Sequence, residues 1–153
     1  MILRSATIDD RAAVEEILVS SAGFSEEEVR VGLEVFNSAI LGDYSAFAAD
    51  VDGRARGYLC VAPIAMTAST WHLYWIGVHG GFQRLGLGRA LLAHVEDFIR
   101  FSGGERITLE TSGRKEYEGA RLFYEAAGYQ AAGRIRDFYK PGDDCVIYCK
   151  ELP

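Results

Sequence analysis

The fold is decided by the stretch Gln83-Arg84-Leu85-Gly86-Leu87-Gly88. Its two glycines allow unusual backbone dihedral angles and a close approach of a ligand to the backbone. A helical pattern follows at once, and the first N–H groups of a helix attract phosphate because they lack partners and lie at the positive end of the dipole. Arg84 and Arg89 add positive charge, and no acidic residue occurs between Val78 and Val95. The stretch therefore predicts a loop that binds a pyrophosphate.

Taken alone, a Gly-x-Gly pattern is better explained by a plain turn between a strand and a helix, so its surroundings matter. A P-loop requires Lys and then Ser or Thr after its last glycine, whereas Gly88 is followed by Arg89 and Ala90. A dinucleotide-binding loop requires a third glycine, whereas Leu91 stands at that position. Neither of these nucleotide-binding motifs fits the stretch.

Strand and helix patterns alternate along the rest of the chain. Aromatic, β-branched and alternating runs predict seven strands: Ile2 to Ala6, Ala46 to Val51, Ala55 to Met66, Trp71 to Val78, Arg106 to Thr111, Tyr129 to Tyr139 and Cys145 to Leu152. Apolar residues at helical spacing predict four helices, which contain Val14 to Leu18, Val29 to Ile40, Leu91 to Ile99 and Tyr117 to Ala127. The order β-α-α-β-β-β-α-β-α-β-β predicts an α/β (α+β) fold. Its single mixed, mostly antiparallel sheet of six to seven strands is flanked by about four helices.

The composition restricts the class of protein. A chain of 153 residues fits one domain, residues 1–153, and a net charge of −6 argues against general nucleic-acid binding. No run approaches the roughly 18 apolar residues of a membrane span, and Met1 to Ser5 lacks a signal-peptide pattern. The spacing of Cys60, Cys145 and Cys149 fits neither a disulfide framework nor a metal site. It indicates apolar packing and the reducing cytoplasm.

Together with its surroundings, the loop resembles the acyl-CoA loop of the GNAT N-acetyltransferases, whose pattern is Gln/Arg-x-x-Gly-x-Gly/Ala. Gln83, Gly86 and Gly88 occupy the patterned positions, after a strand that ends at Val78. The segment from Ala120 to Tyr129 resembles the family's Ala-x-x-x-Tyr-x-x-x-Gly-Phe/Tyr signature. The order of helices and strands is also the family's order. The resemblance thus covers nearly the whole chain and implies the GNAT fold.

The resemblance implies that acetyl-CoA is the cosubstrate of an N-acetyltransferase. The amides from Arg84 to Arg89, beside Gln83, would bind its pyrophosphate. Tyr124 would protonate the leaving thiolate, since a phenol with a pKa of about 10 is protonated at neutral pH. Many members carry an asparagine seven residues earlier; here that position is Tyr117, which leaves the adenine-side contacts open. The strand residues whose backbone would bind the pantetheine arm are Ile76, Gly77 and Val78.

The implied reaction, attack of an amine on a thioester, needs a base because only the neutral amine attacks. His72 stands where histone-type members of the family place a glutamate base, and histidine titrates in a suitable range. A polar position on a strand explains His72 equally well. Glu110 on the neighbouring strand is the second candidate, provided that its side chain lies on the right face of the sheet. His79 and His94 are predicted to be surface residues.

The acceptor amine is left open between two classes. Phe138 and Tyr139 lie in a hairpin that resembles that of the ribosomal-protein-type N-terminal acetyltransferases, which favours a peptide α-amine; Pro141 to Asp144 is also ordinary turn chemistry. The corner from Thr111 to Gly113 and the strand from Trp71 to Trp75 resemble those of small-molecule members, which favours an amino acid or another small amine. A non-catalytic acyl-CoA-binding or sensing module on the same fold is the alternative function. The sequence leaves open whether the protein forms a homodimer.

Overall fold

The computed structural model describes residues 1–21 and 23–153. Its strands are β1 (Ile2–Ser5), β2 (Ser45–Val51), β3 (Arg54–Pro63), β4 (Thr70–Val78), β5 (Arg106–Ser112), β6 (Gln130–Lys140) and β7 (Asp143–Glu151). Its α-helices are α1 (Arg11–Ser20), α2 (Glu26–Ile40), α3 (Leu87–Phe101) and α4 (Glu118–Ala126). Within the described ranges, the strands form one sheet of seven, in the order β1-β2-β3-β4-β5-β7-β6.

The predicted order of elements and the mixed sheet are confirmed. β4 pairs with β5 in parallel, because the connection between them crosses over through α3. The pairs β1–β2, β2–β3, β5–β7 and β6–β7 are antiparallel. None of the helices in residues 1–21 and 23–153 has both the length and the apolar composition needed to cross a membrane.

The chain divides into two compact units. Unit 1 contains Met1–Ala62 and Leu73–Phe98, and unit 2 contains Pro63–His72 and Ile99–Pro153. In unit 1, apolar side chains of α1, α2 and β3 form a core in which Ile17, Phe36 and Tyr58 are completely buried. The predicted apolar faces of the first two helices therefore face this core.

Beside that core, a charged cluster joins β1, β2 and the start of α1. Arg4 donates hydrogen bonds to Asp10 at 2.8 Å and to Asp50 at 3.0 Å. Asp10 is only 7% exposed, and it also accepts a hydrogen bond from the Thr7 N–H at 2.9 Å. Both carboxylates are therefore compensated by the guanidinium group, as burial of a charge requires.

Several predicted element ends are wrong by a few residues. β3 ends at Pro63 rather than Met66, because Met66 has a left-handed φ of 69° in the turn that follows. The last helix begins at Glu118 rather than Tyr117, since Lys115–Tyr117 forms a separate 3-10 turn. β7 begins at Asp143 rather than Cys145, which shortens the last hairpin turn to two residues, Pro141 and Gly142.

Candidate active site

The loop predicted to bind a pyrophosphate lies in unit 1, directly before α3. Its backbone is left-handed at Arg84, with φ 63°, and at Gly86, with φ 87°. Left-handed residues in a turn direct successive N–H groups toward one point and so create an anion-binding concavity. Gly88 instead lies within the first turn of α3. The unusual dihedral angles expected from both glycines therefore occur at Gly86 and at the non-glycine Arg84.

The first turn of α3 presents unpartnered donors beside this loop. The Ala90 N–H donates the first helical hydrogen bond, to the Gly86 carbonyl at 2.9 Å. The N–H groups of Leu87, Gly88 and Arg89 come earlier and have no intrahelical acceptor. Arg84 and Arg89 are exposed, and neither forms an ion pair with a described residue. A positive helix end with two uncompensated guanidinium groups suits a diphosphate.

Three side chains hold the start of the loop against α1 and the end of β4. The Val78 carbonyl accepts hydrogen bonds from Ser21 Oγ at 2.9 Å and from Gln83 Nε2 at 3.3 Å. The Gly80 N–H donates to Ser20 Oγ at 3.0 Å. The Gln83 side chain, predicted as a coenzyme contact, is thus engaged in fixing the loop.

The end of β4 carries the residues predicted to bind the pantetheine arm through their backbone. A β-carbon at Gly77 would lie 3.2 Å from Ile17 and 3.4 Å from Tyr58, so α1 and β3 fill the space beside this glycine. Gly77 itself is buried. Ile76 and Val78 flank it and are half-buried.

The predicted base His72 lies in unit 2, where it pairs with Thr108 in the parallel register of β4 and β5. His72 Nδ1 lies 2.7 Å from Thr108 Oγ1, and the Thr108 hydroxyl is a donor to the Trp71 carbonyl at 3.4 Å. Burial lowers the pKa of His72 below its ordinary value, while the charge of Glu110 acts in the opposite direction. His72 is therefore neutral at pH 7, the state that a base requires.

The second candidate base, Glu110, is exposed on β5, opposite Ile147 of β7. Its negative charge acts on His72 and also contributes to the raised pKa values of Tyr139 and Cys145, both of which are raised mainly by burial. Glu110 lies two residues after Thr108 on β5, so it projects from the same face of the sheet as Thr108 and its strand partner His72.

The predicted acid Tyr124 is the buried residue of α4, with 8% of its surface exposed. Burial raises the pKa of its phenol above the ordinary value, so the hydroxyl keeps the proton that an acid must donate. Rings surround it at centroid distances of 5.4, 6.0 and 6.1 Å, and they belong to Phe123, Tyr129 and Tyr148. Tyr117, before α4, lies 5.7 Å from the Arg114 guanidinium group.

The two aromatic residues of the last hairpin are open to solvent. Phe138 is 49% exposed and Tyr139 is 47% exposed, and their rings meet edge to face at 5.0 Å. The register of β6 and β7 shifts between Ile135 and Lys140, where Asp137 adopts a left-handed φ of 55°. Every residue of β6 is exposed, and β6 is the last strand of the sheet, so both rings lie on an exposed edge strand.

Several residues have contacts in the structure that the sequence did not predict. Thr108, Ser20 and Ser21 belong to no recognisable motif. Their hydrogen bonds to His72, Gly80 and Val78 join residues that are far apart in the sequence. His79 and His94, which were predicted to be surface residues, are both half-buried. His79 Nδ1 accepts a hydrogen bond from the Gly81 N–H at 3.0 Å, while His94 packs edge to face on Phe47 at 5.2 Å.

Comparisons with known proteins agree with this geometry. Residues 11–129 match the model of the acetyltransferase (GNAT) family. A crystal structure from Desulfovibrio desulfuricans, described as an acetyltransferase of the GNAT family, is 36% identical, with a TM-score of 0.93 and 99% of each chain covered. An uncharacterised N-acetyltransferase of Methanocaldococcus jannaschii is 29% identical over 100% of this chain and 93% of its own length.

A further relative is the ribosomal protein bS18-alanine N-acetyltransferase of Escherichia coli. It is 36% identical over 78 residues, which are 49% of this chain and 51% of that enzyme. The family match includes both the loop before α3 and the tyrosine of α4. This chain belongs to the acetyltransferase (GNAT) family, and it is an acyltransferase.

Proposed function

We propose that the chain transfers an acetyl group from acetyl-CoA to a primary amine by direct attack of the amine on the thioester. The observation that carries the proposal is the loop before α3. Arg84 and Gly86 are left-handed there, and the N–H groups of Leu87 to Arg89 precede the first helical hydrogen bond. A pyrophosphate, such as that of coenzyme A, matches both the donors and the charge of this site.

The proposed chemistry assigns a proton to each of two side chains. A bond forms between the amine nitrogen and the acetyl carbon while the bond from that carbon to sulfur breaks. His72 takes the proton from the amine, and Tyr124 gives its proton to the thiolate. The neutral state of His72 and the protonated state of Tyr124 support these roles. Glu110, which is close enough to act on His72, is the second candidate base.

The coenzyme arm is assigned to main-chain groups. The backbone of Ile76, Gly77 and Val78 is the proposed binding site of the pantetheine portion. Gly77 has no side chain, and Ile17 and Tyr58 fill the space where one would stand. Gln83 contributes by holding the loop to the Val78 carbonyl. Tyr117 takes the position of the family's frequent asparagine and is the proposed contact on the adenine side.

The acceptor is either a peptide α-amine or a small amine such as an amino acid. Phe138 and Tyr139 form an exposed aromatic surface for the acceptor, and Glu110 supplies a negative charge that suits a cationic amine. The relative that acetylates an alanine of ribosomal protein bS18 supports the peptide class, although the match covers half of that enzyme. We further propose that residues 1–153 act as one domain in the cytoplasm, as a monomer or a homodimer.

The test is to incubate the protein with acetyl-CoA and a panel of amines, amino acids and peptides, and to follow the release of free thiol. Release that depends on an acceptor supports the transferase, and mass spectrometry of the acetylated product identifies the acceptor class. Binding of acetyl-CoA without thiol release for any acceptor favours the non-catalytic binding module. Failure to bind acetyl-CoA contradicts both functions.

A further inference from the structure

We propose that Thr108 is a positioning residue that keeps the proton of neutral His72 on Nδ1 and the lone pair on Nε2. The inference rests on the proposed function, in which His72 takes a proton from the acceptor amine. A neutral imidazole carries one proton on two nitrogen atoms, so only one of them can act as the base. Thr108 thus acts through His72.

The backbone holds the two side chains in position. His72 and Thr108 are the last paired residues in the parallel register of β4 and β5, which also contains Thr70 with Arg106 and Trp71 with Ile107. Both residues are half-buried. Because paired residues of neighbouring strands project from the same face of the sheet, the register brings the two side chains together. His72 Nδ1 then lies 2.7 Å from Thr108 Oγ1.

The neighbouring carbonyl decides the direction of the hydrogen bond. The Trp71 carbonyl can only accept, and the Thr108 hydroxyl is its donor at 3.4 Å. A hydroxyl group has a single proton and two lone pairs. When that proton faces Trp71, the contact with His72 is satisfied only if Nδ1–H donates to Oγ1. With the proton on Nδ1, the Thr108 hydroxyl donates to the Trp71 carbonyl and accepts from His72. With the proton on Nε2, the hydroxyl can form only one of these two hydrogen bonds.

The same bond affects the basicity of His72. A charged donor makes a stronger hydrogen bond than a neutral one, so Thr108 favours the imidazolium ion. Burial disfavours the imidazolium ion and lowers the pKa of His72, whereas the charge of Glu110 favours the ion, as Thr108 does. Loss of the Thr108 hydroxyl should therefore lower the pKa of His72 and remove its preference for the tautomer that is protonated on Nδ1.

The direct test is nitrogen NMR of the three histidines at neutral pH, in the wild-type protein and in Thr108→Val and Thr108→Ser variants. His79 is an internal standard, because its Nδ1 accepts from the Gly81 N–H at 3.0 Å and its proton must be on Nε2. We expect His72 to carry its proton on Nδ1 in the wild type and in Thr108→Ser, and to lose this preference in Thr108→Val. A proton on Nε2 of wild-type His72, or an unchanged tautomer in Thr108→Val, overturns the proposal.

Kinetics then separate this inference from the proposed function. Thr108→Val should lower kcat by about tenfold, a fraction of what general base catalysis contributes, without changing KM for acetyl-CoA. The acidic limb of its kcat/KM profile should move to lower pH, and Thr108→Ser should restore both values. Equal losses in the two variants overturn the role of the hydroxyl. The NMR result stands independently, even if no acceptor is acetylated.

Discussion

The main chain of Gly80 lies directly against Ser20, the last residue of α1. The Gly80 N–H donates to Ser20 Oγ at 3.0 Å, and a β-carbon at Gly80 would lie 2.3 Å from the Ser20 carbonyl oxygen. Glycine is therefore required at this position by the approach of α1 and not by its dihedral angles. The contact holds the start of the loop before α3 against the end of α1 within unit 1.

Gly80→Ala should separate these two segments. We expect the free energy of unfolding to fall by about 1 to 3 kcal/mol, as for other overpacked sites, and the affinity for acetyl-CoA to fall as well. Denaturant unfolding and calorimetric titration measure the two effects. Gly81→Ala is the matched control, because its β-carbon would meet the His79 ring at an ordinary 3.4 Å. Equal behaviour of the two variants would contradict the steric explanation.

Gly86→Val should weaken the binding of acetyl-CoA by about tenfold, which corresponds to 1.4 kcal/mol. Gly86 has a φ of 87°, and a β-carbon there has no neighbour within 4 Å, so the cost is conformational. Gly42→Val provides the control, since Gly42 has a φ of 99° and an equally open surrounding. Both variants should lose stability, but only Gly86→Val should lose affinity. Unchanged affinity in Gly86→Val would refute the assignment of the loop.

Tyr124→Phe should lower kcat by at least about tenfold, a barrier increase of roughly 1.4 kcal/mol. The phenol is the proposed proton donor to the thiolate, and its replacement preserves the packing of the ring. Tyr129→Phe removes a hydroxyl from the same aromatic cluster, 6.0 Å away between ring centroids, and should leave kcat unchanged. Full activity of Tyr124→Phe in a thiol-release assay would remove the acid role.

Glu110→Gln distinguishes the two candidate bases through the pH dependence of kcat/KM. The charge of Glu110 raises the pKa of His72, so removal of the charge lowers this pKa. If His72 is the base, it stays neutral to lower pH, and the acidic limb moves to lower pH while the plateau persists. If Glu110 is the base, activity is lost at every pH. Glu118→Gln, on the exposed start of α4, should leave the profile unchanged.

Asp10→Asn should lower the free energy of unfolding by about 2 kcal/mol at pH 7, the contribution of a hydrogen bond to a charged group. Hydrogen bonds from Arg4 lower the pKa of Asp10 below its ordinary value of 3.8. The stabilisation is therefore present above pH 3.8 and is lost as the pH falls through the lower pKa of the folded state. Denaturant unfolding between pH 2 and 7, roughly the range where the carboxyl titrates, measures this loss.

The variant should lack the part of the acid dependence that Asp10 causes. Its curve should approach that of the wild type at low pH, where the carboxyl is protonated in both states. Asp9→Asn is the control, because Asp9 is exposed beside it. If the free energy of unfolding falls equally with pH in the wild type and in Asp10→Asn, the Asp10 carboxylate does not cause the loss of stability in acid.

Short-range chemistry explains what the sequence by itself determined. Asp52 and Gly53 lie between the predicted strands Ala46 to Val51 and Ala55 to Met66, and both are left-handed, with φ of 55° and 81°. Ser25 caps the helix predicted around Val29 to Ile40, and its hydroxyl accepts a hydrogen bond from the Glu28 N–H at 3.1 Å. The glycines before α3 likewise predicted the loop. Such signals can be recognised in a sequence because the residue types at turns and caps themselves favour the backbone conformation that the turn or cap requires. They determined the order of elements, the fold and the loop at the start of α3.

Only the tertiary structure decided which distant residues meet. His72 and Thr108 are 36 positions apart and touch because of the register of a parallel pair. Ser20 and Gly80 are 60 positions apart and touch because α1 packs against the loop. Register and packing depend on the burial of whole strand and helix faces rather than on any local pattern. The sequence therefore indicated His72 and Glu110 as candidate bases, but the hydroxyl that we propose to orient His72 could be recognised only in the assembled sheet.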